Sequence, residues 1–76
     1  MWCFDDRAGR RWEIVPGRAS WGAHVALFVP AGHDGPVRQA MLDGSAWDQA
    51  MAEIEKLGPA GWQGLLDRST IRDEAS

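Results

Sequence analysis

The sequence predicts an α+β fold: a small antiparallel sheet of three to four strands followed by two C-terminal helices packed on one face. Three observations carry that expectation. Apolar residues recur at every second position in runs between Trp2 and Val29, which is strand spacing. From Trp47 onward they recur at three- and four-residue steps, which is helix spacing. Turn formers at Ala8-Gly9, at Pro16-Gly17 and from Ala31 to Pro36 divide the first half into lengths that suit short strands.

The elements follow in order. Trp2 and Phe4 share one face of a first strand, with Cys3 and Asp5 on the other. After Ala8-Gly9 the alternation resumes, with Trp12 and Ile14 on one side and Arg11, Glu13 and Val15 on the other, so the two runs read as a hairpin. Val15-Pro16-Gly17-Arg18 fits a type II turn, with Pro fixing φ at the second position and Gly supplying a positive φ at the third. Gly22 to Pro30 is the strongest strand signal. Ala23, Val25, Leu27 and Val29 form one face and His24, Ala26 and Phe28 the other. A strand apolar on both faces belongs mid-sheet or beneath a covering layer. Val37 to Leu42 fits a fourth strand.

The period then changes. Ser45 and Asp48 have the spacing of a capping box. Behind them Trp47, Ala50, Met51, Ile54 and Leu57 make an apolar stripe, closed by Gly58 and Pro59. A second helix from about Ala60 to Arg68 places Trp62, Leu65 and Leu66 inward, and residues 69–76 read as a polar tail. The expected core joins Trp2, Phe4, Trp12, Ile14, Val25, Leu27 and Val29 to the Trp47, Met51 and Ile54 stripe. Arg11, Glu13, His24 and Phe28 are then left on the opposite sheet face.

A chain of 76 residues is one domain, here residues 1–68 with the tail outside it. So small a core needs most of its five tryptophans inside. One cysteine excludes a disulfide framework, and the start shows no basic-then-apolar leader, so a cytoplasmic protein is expected. No apolar run is long enough to cross a bilayer, and no membrane partner is expected. Net charge is −3. Residues 1–38 hold five basic against four acidic side chains, and residues 39–76 hold three against seven.

The segment Gly17-Arg18-Ala19-Ser20-Trp21-Gly22 raises the question of a catalytic serine. A nucleophile elbow needs Gly two residues before the Ser, where this chain has Arg18, and a helix after it, where this chain has a strand. Ser20 therefore reads as a turn residue, and Arg18 and Trp21 as recognition side chains. Cys3, His24, His33 and Asp34 lack any metal-ligand spacing, so no metal and no cofactor are expected. No phosphate loop, dinucleotide fingerprint or carboxylate pair is present. The chain thus reads as a small interaction module or accessory subunit without catalytic activity of its own. Its partner is another protein or a second copy, bound through Arg11, Arg18, Trp21, His24 and Phe28. The alternative is a nucleic-acid-binding module using Arg7, Arg10, Arg11 and Arg18, set against a negative overall charge.

Three short segments, Phe4-Asp5-Asp6, Ser20-Trp21 and Pro30-Ala31-Gly32, resemble stretches of the MbtH-like proteins, small sheet-plus-helix partners of adenylation domains. The departures are specific. Gly22 stands where that family has Pro, His33 stands where it has Trp, and its C-terminal Trp-Thr-Asp-x-Arg-Pro signature is missing. No site residue is carried over from it.

Overall fold

The computed structural model describes residues 2–18, 22–44 and 46–72. Its elements run β1 (Trp2–Asp5), β2 (Arg11–Arg18), β3 (His24–Ala31), β4 (Arg38–Met41), α1 (Trp47–Asp67) and β5 (Thr70–Ile71). The strands form one antiparallel sheet in the order β1-β2-β3-β4-β5. The class is α+β, as the sequence predicts, with five strands in place of three to four and one helix in place of two.

Each difference has a local cause. Asp6 builds the β1–β2 turn: its Oδ1 accepts the amides of Ala8 and Arg10, both at 2.9 Å, and its Oδ2 accepts the Trp12 indole N–H at 2.8 Å. Gly9 takes the left-handed φ of 82° that the turn demands. β2 then runs straight through Pro16-Gly17, where a type II turn was expected, and Gly17 has no positive φ. β1 pairs with β2 only as far as Ile14. Pro16 therefore lies where β2 has a free edge, and its missing N–H costs no bond to β1.

Cross-strand pairing sets the faces of β3. Ile14 lies opposite Phe28, and Pro16 opposite Ala26. Phe28 and Ile14 are both 0% exposed and sit in the core with Phe4, whose ring meets Phe28 edge-on at 6.1 Å. The expected assignment of faces is thus reversed: His24, Ala26 and Phe28 face the helix, and Val25, Leu27 and Val29 face away from it, although Val25 is still fully buried as expected. Both faces of β3 are apolar, so alternation could not choose between them; the register with β2 does.

α1 buries Ala50, Ile54, Trp62, Leu65 and Leu66. Its first half presents a narrower stripe than the spacing suggests, because Trp47 is 41% exposed and Met51 and Leu57 also reach solvent. The N-cap is Ala46, without a side-chain capping bond, and Ser45 lies outside the described residues. Glu53 instead holds the loop before the helix, accepting the amides of Asp43 and Gly44 at 3.0 Å. The expected helix end at Gly58-Pro59 is instead a kink: Gly58 has φ 68°, and the chain resumes helical geometry at once. Two helical segments thus meet at Gly58 with no loop between them, and α1 denotes both. The Trp62 indole N–H bridges the kink by donating to the Ile54 carbonyl at 2.7 Å.

The stretch read as a tail supplies the last strand. Ser69 is buried, Thr70 pairs with Gln39, and the Arg72 amide donates to the Val37 carbonyl at 2.8 Å. Cys3 is exposed, since its face carries Asp5, Arg11 and Glu13. The molecule is a slab of 31 × 31 × 19 Å, the thickness of one sheet and one helical layer. Among the described residues no helix is long and apolar enough to cross a membrane.

Candidate functional site

Two surfaces stand out. The first is the sheet face away from α1. Strand pairing collects Val15, Leu27 and Val29 there, with Glu13 opposite Val29 and Gln39 opposite Leu27. Val15, Leu27 and Val29 are half-buried, and Met41, beside Val25, is exposed. At one side Arg11 donates to Asp5 at 3.1 Å, and this hydrogen bond and the carboxylate charge raise the already high pKa of the guanidinium. At the other side Arg72 donates to the Gln39 side chain at 3.1 Å and to the Arg18 carbonyl at 3.3 Å. Acidic Glu13 thus stands beside Val29 at one end of the apolar centre, and the Arg72 guanidinium reaches from Gln39 of β4 across to the Arg18 end of β2 at the other. Val25, in the same row, is fully buried, so the open part of the face is the end that holds Val15, Leu27 and Val29.

The second is a groove of about 320 Å³ on the opposite side of the molecule, between the β1–β2 turn, the β3–β4 loop and the C-terminal half of α1. Arg7 ties the turn to the helix: its guanidinium donates to Asp67 at 2.8 Å and its amide donates to the Gln63 side chain at 2.8 Å. His33 ties the loop to β2. Its Nε2 lies 2.9 Å from the Arg11 carbonyl and its Nδ1 3.4 Å from the Asp34 carbonyl, and its ring meets Trp12 edge-on at 5.0 Å. The Trp12 indole, together with the two backbone amides and the charge of Arg10, holds the Asp6 carboxyl below its usual pKa; partial burial opposes this. Arg38 projects into the groove from β4, oriented by Ser69.

The sequence-predicted residues divide between these places. Arg11 lies on the open sheet face. Arg18 ends β2, seven positions on and therefore on the other face, opposite His24. Trp21 lies outside the described residues. Phe28 is core. His24 is 7% exposed, its ring 6.1 Å from Trp47, and its Nε2 has no hydrogen-bond partner among the described residues. The four arginines of the nucleic-acid reading are split: Arg7 and Arg10 both line the groove, with Arg7 paired to Asp67, whereas Arg11 pairs with Asp5 on the sheet face and Arg18 stands at the far end of β2. Sequence reasoning gave no site role to Asp6, Arg38 or Arg72 and weighed His33 only as a metal ligand. Of these only Asp6 carried a signal, an Asp at the head of a Gly-containing turn. Among the described residues no three His, Cys, Asp or Glu side chains are placed to hold a metal ion.

Comparison with protein-family models, curated proteins and solved structures gives no match. The likeness to the MbtH-like proteins therefore stays with the short segments that carry it.

Proposed function

We propose that this chain is a small protein-interaction module, and that its contact surface is the sheet face away from α1, occupied by a second copy of the chain. The observation that carries this reading is β3. It is apolar on both sides and central in the sheet, yet α1 covers one side only. Sheets of this kind commonly show a polar outer face; here Val15, Leu27 and Val29 occupy its middle.

Size and charge both favour a second copy. A slab 31 Å across offers a broad face of roughly 750 Å², close to what each partner buries in a standard interface. The apolar patch is centred on the middle strand, so a two-fold axis crossing β3 near Leu27 lays it on itself. The same axis carries the Arg72 end of one copy over the Glu13 end of the other, so unlike charges meet twice. The nucleic-acid reading draws on no comparable arrangement.

Sedimentation velocity between about 1 and 500 μM tests the proposal over the range in which modest interfaces assemble. The expected species has twice the 8.4 kDa chain mass at the upper concentrations. Leu27→Lys, which sets a charge at the centre of the patch, returns the protein to monomer with an unchanged far-UV spectrum. A chain that stays monomeric throughout, or a Leu27→Lys variant that dimerises as tightly, overturns the reading.

A further inference from the structure

We propose that the groove binds a small oxyanion, a carboxylate or phosphate group, on the guanidinium of Arg38. Arg38 leaves β4 on the helix side, where its cross-strand neighbour is the fully buried Phe28, and it is itself half-buried. Ser69 occupies one edge of its fork: Nε donates to the hydroxyl at 2.8 Å and Nη2 donates to the carbonyl at 2.9 Å. Ser69 is buried and its hydroxyl donates to the Leu66 carbonyl at 2.6 Å, so the guanidinium is anchored to the end of α1. That leaves the other edge, Nη1 with the second hydrogen of Nη2. Among the described residues this edge has no acceptor, and Arg38 has no carboxylate partner. A half-buried cation in that position is short of a counter-charge. The open edge is the geometry that takes an oxyanion through two parallel bonds.

The rest of the lining supports an anion. The carboxylates of the groove are committed: Asp6 accepts three donors, and Asp67 accepts Arg7 and Gln63. Asp34 is the remaining one, and it is exposed on the loop, where water screens it. Arg10, also in the lining, has no side-chain acceptor among the described residues and supplies a second cation, part of whose field falls on Asp6. Leu66 and Pro36 give an apolar wall. At about 320 Å³ the space lies at the lower end of small-molecule sites. The occupant is therefore a compact organic anion, its charged head on Arg38 and its body against Leu66 and Pro36.

The test is a ¹H–¹⁵N NMR titration of the full chain with inorganic phosphate and, separately, with benzoate, against sodium chloride at matched ionic strength. The reporter is the Trp12 indole N–H, whose ring lines the groove. Saturable shifts with phosphate only assign a phosphate ligand, with benzoate only an organic carboxylate, and with both an oxyanion site of either kind. Arg38→Gln weakens binding at least tenfold and Arg10→Gln a few-fold. If Arg38→Gln does not fold, Arg38→Lys keeps the charge, loses the fork and also weakens binding about tenfold. Shifts that stay linear with both anions, or affinities unchanged in every folded Arg38 variant, overturn the proposal.

Discussion

Trp62→Phe tests the packing that joins the two halves of α1 to the sheet. Trp62 does two things at once: its indole N–H bonds the buried Ile54 carbonyl across the kink at 2.7 Å, and its ring meets Phe4 of β1 edge-on at 5.9 Å. Phenylalanine keeps an aromatic ring for Phe4 but has no donor and leaves a void. The lost bond costs about 1 kcal/mol, and the partial cavity costs roughly a further 1–2 kcal/mol. The sum, about 2–3 kcal/mol, lowers the Tm of a domain this size by roughly 10–20 °C. Urea unfolding followed by far-UV circular dichroism reads the change, at one fixed protein concentration because self-association shifts apparent stability. Trp47→Phe is the matched control. Trp47 is solvent-exposed, and its replacement costs under about 1 kcal/mol. Equal losses from the two substitutions would refute the idea that Trp62 fastens the kink.

Three further predictions follow from single contacts. A methyl group at Gly64 meets nothing within 4 Å, whereas one at Gly61 comes within 2.7 Å of the Leu57 Cβ across the kink. In thermal melts Gly64→Ala gains up to about 1 kcal/mol from helix propensity, while Gly61→Ala loses about 1 kcal/mol or more to overpacking; the same sign for both would show the kink is not closely packed. The folded pKa of Asp6 is depressed below its ordinary value of 3.8, so its contribution is complete above that value and is lost as pH falls through the lower folded value. Asp6→Asn should therefore destabilise the chain near neutrality and flatten the acid limb of its stability curve below about pH 4, and an unchanged acid limb would count against the turn network. His24→Leu removes a buried nitrogen that has no partner among the described residues, and should be neutral or stabilise by up to about 1 kcal/mol in the same urea assay; a loss above about 1 kcal/mol would reveal a bond to His24 outside those residues.

How far the sequence reached is plain in β3 and α1. The length and both ends of β3 were legible to within about two residues, because alternation and Pro30 mark them. Which face met the helix was not, because an apolar residue stands on each side and only the pairing of Ile14 with Phe28 decides. Gly58 and Pro59 announced a break, and a break is present. Its size was hidden, since one left-handed glycine can end a helix or merely bend it. β5 was illegible because Thr70 and Ile71 are only two residues long and depend on Gln39 and Arg38 for pairing. The groove was illegible for the same reason: Arg38 and Ser69 are 31 positions apart, and nothing local relates them. The arginines that looked like a cluster in the chain separated because alternate positions of β2 point to opposite faces and Arg7 turns toward the helix.

The central claim is that two copies meet through the outer face of the sheet with Glu13 of each beside Arg72 of the other. Sedimentation equilibrium of the native chain, Glu13→Arg, Arg72→Glu and the double variant tests it most directly. The account predicts dimers for the native chain and for the double variant, with both single reversals weakened about tenfold or more, as expected when like charges are forced together. A native chain that remains monomeric, or a double variant that associates more weakly than either single one, would contradict it.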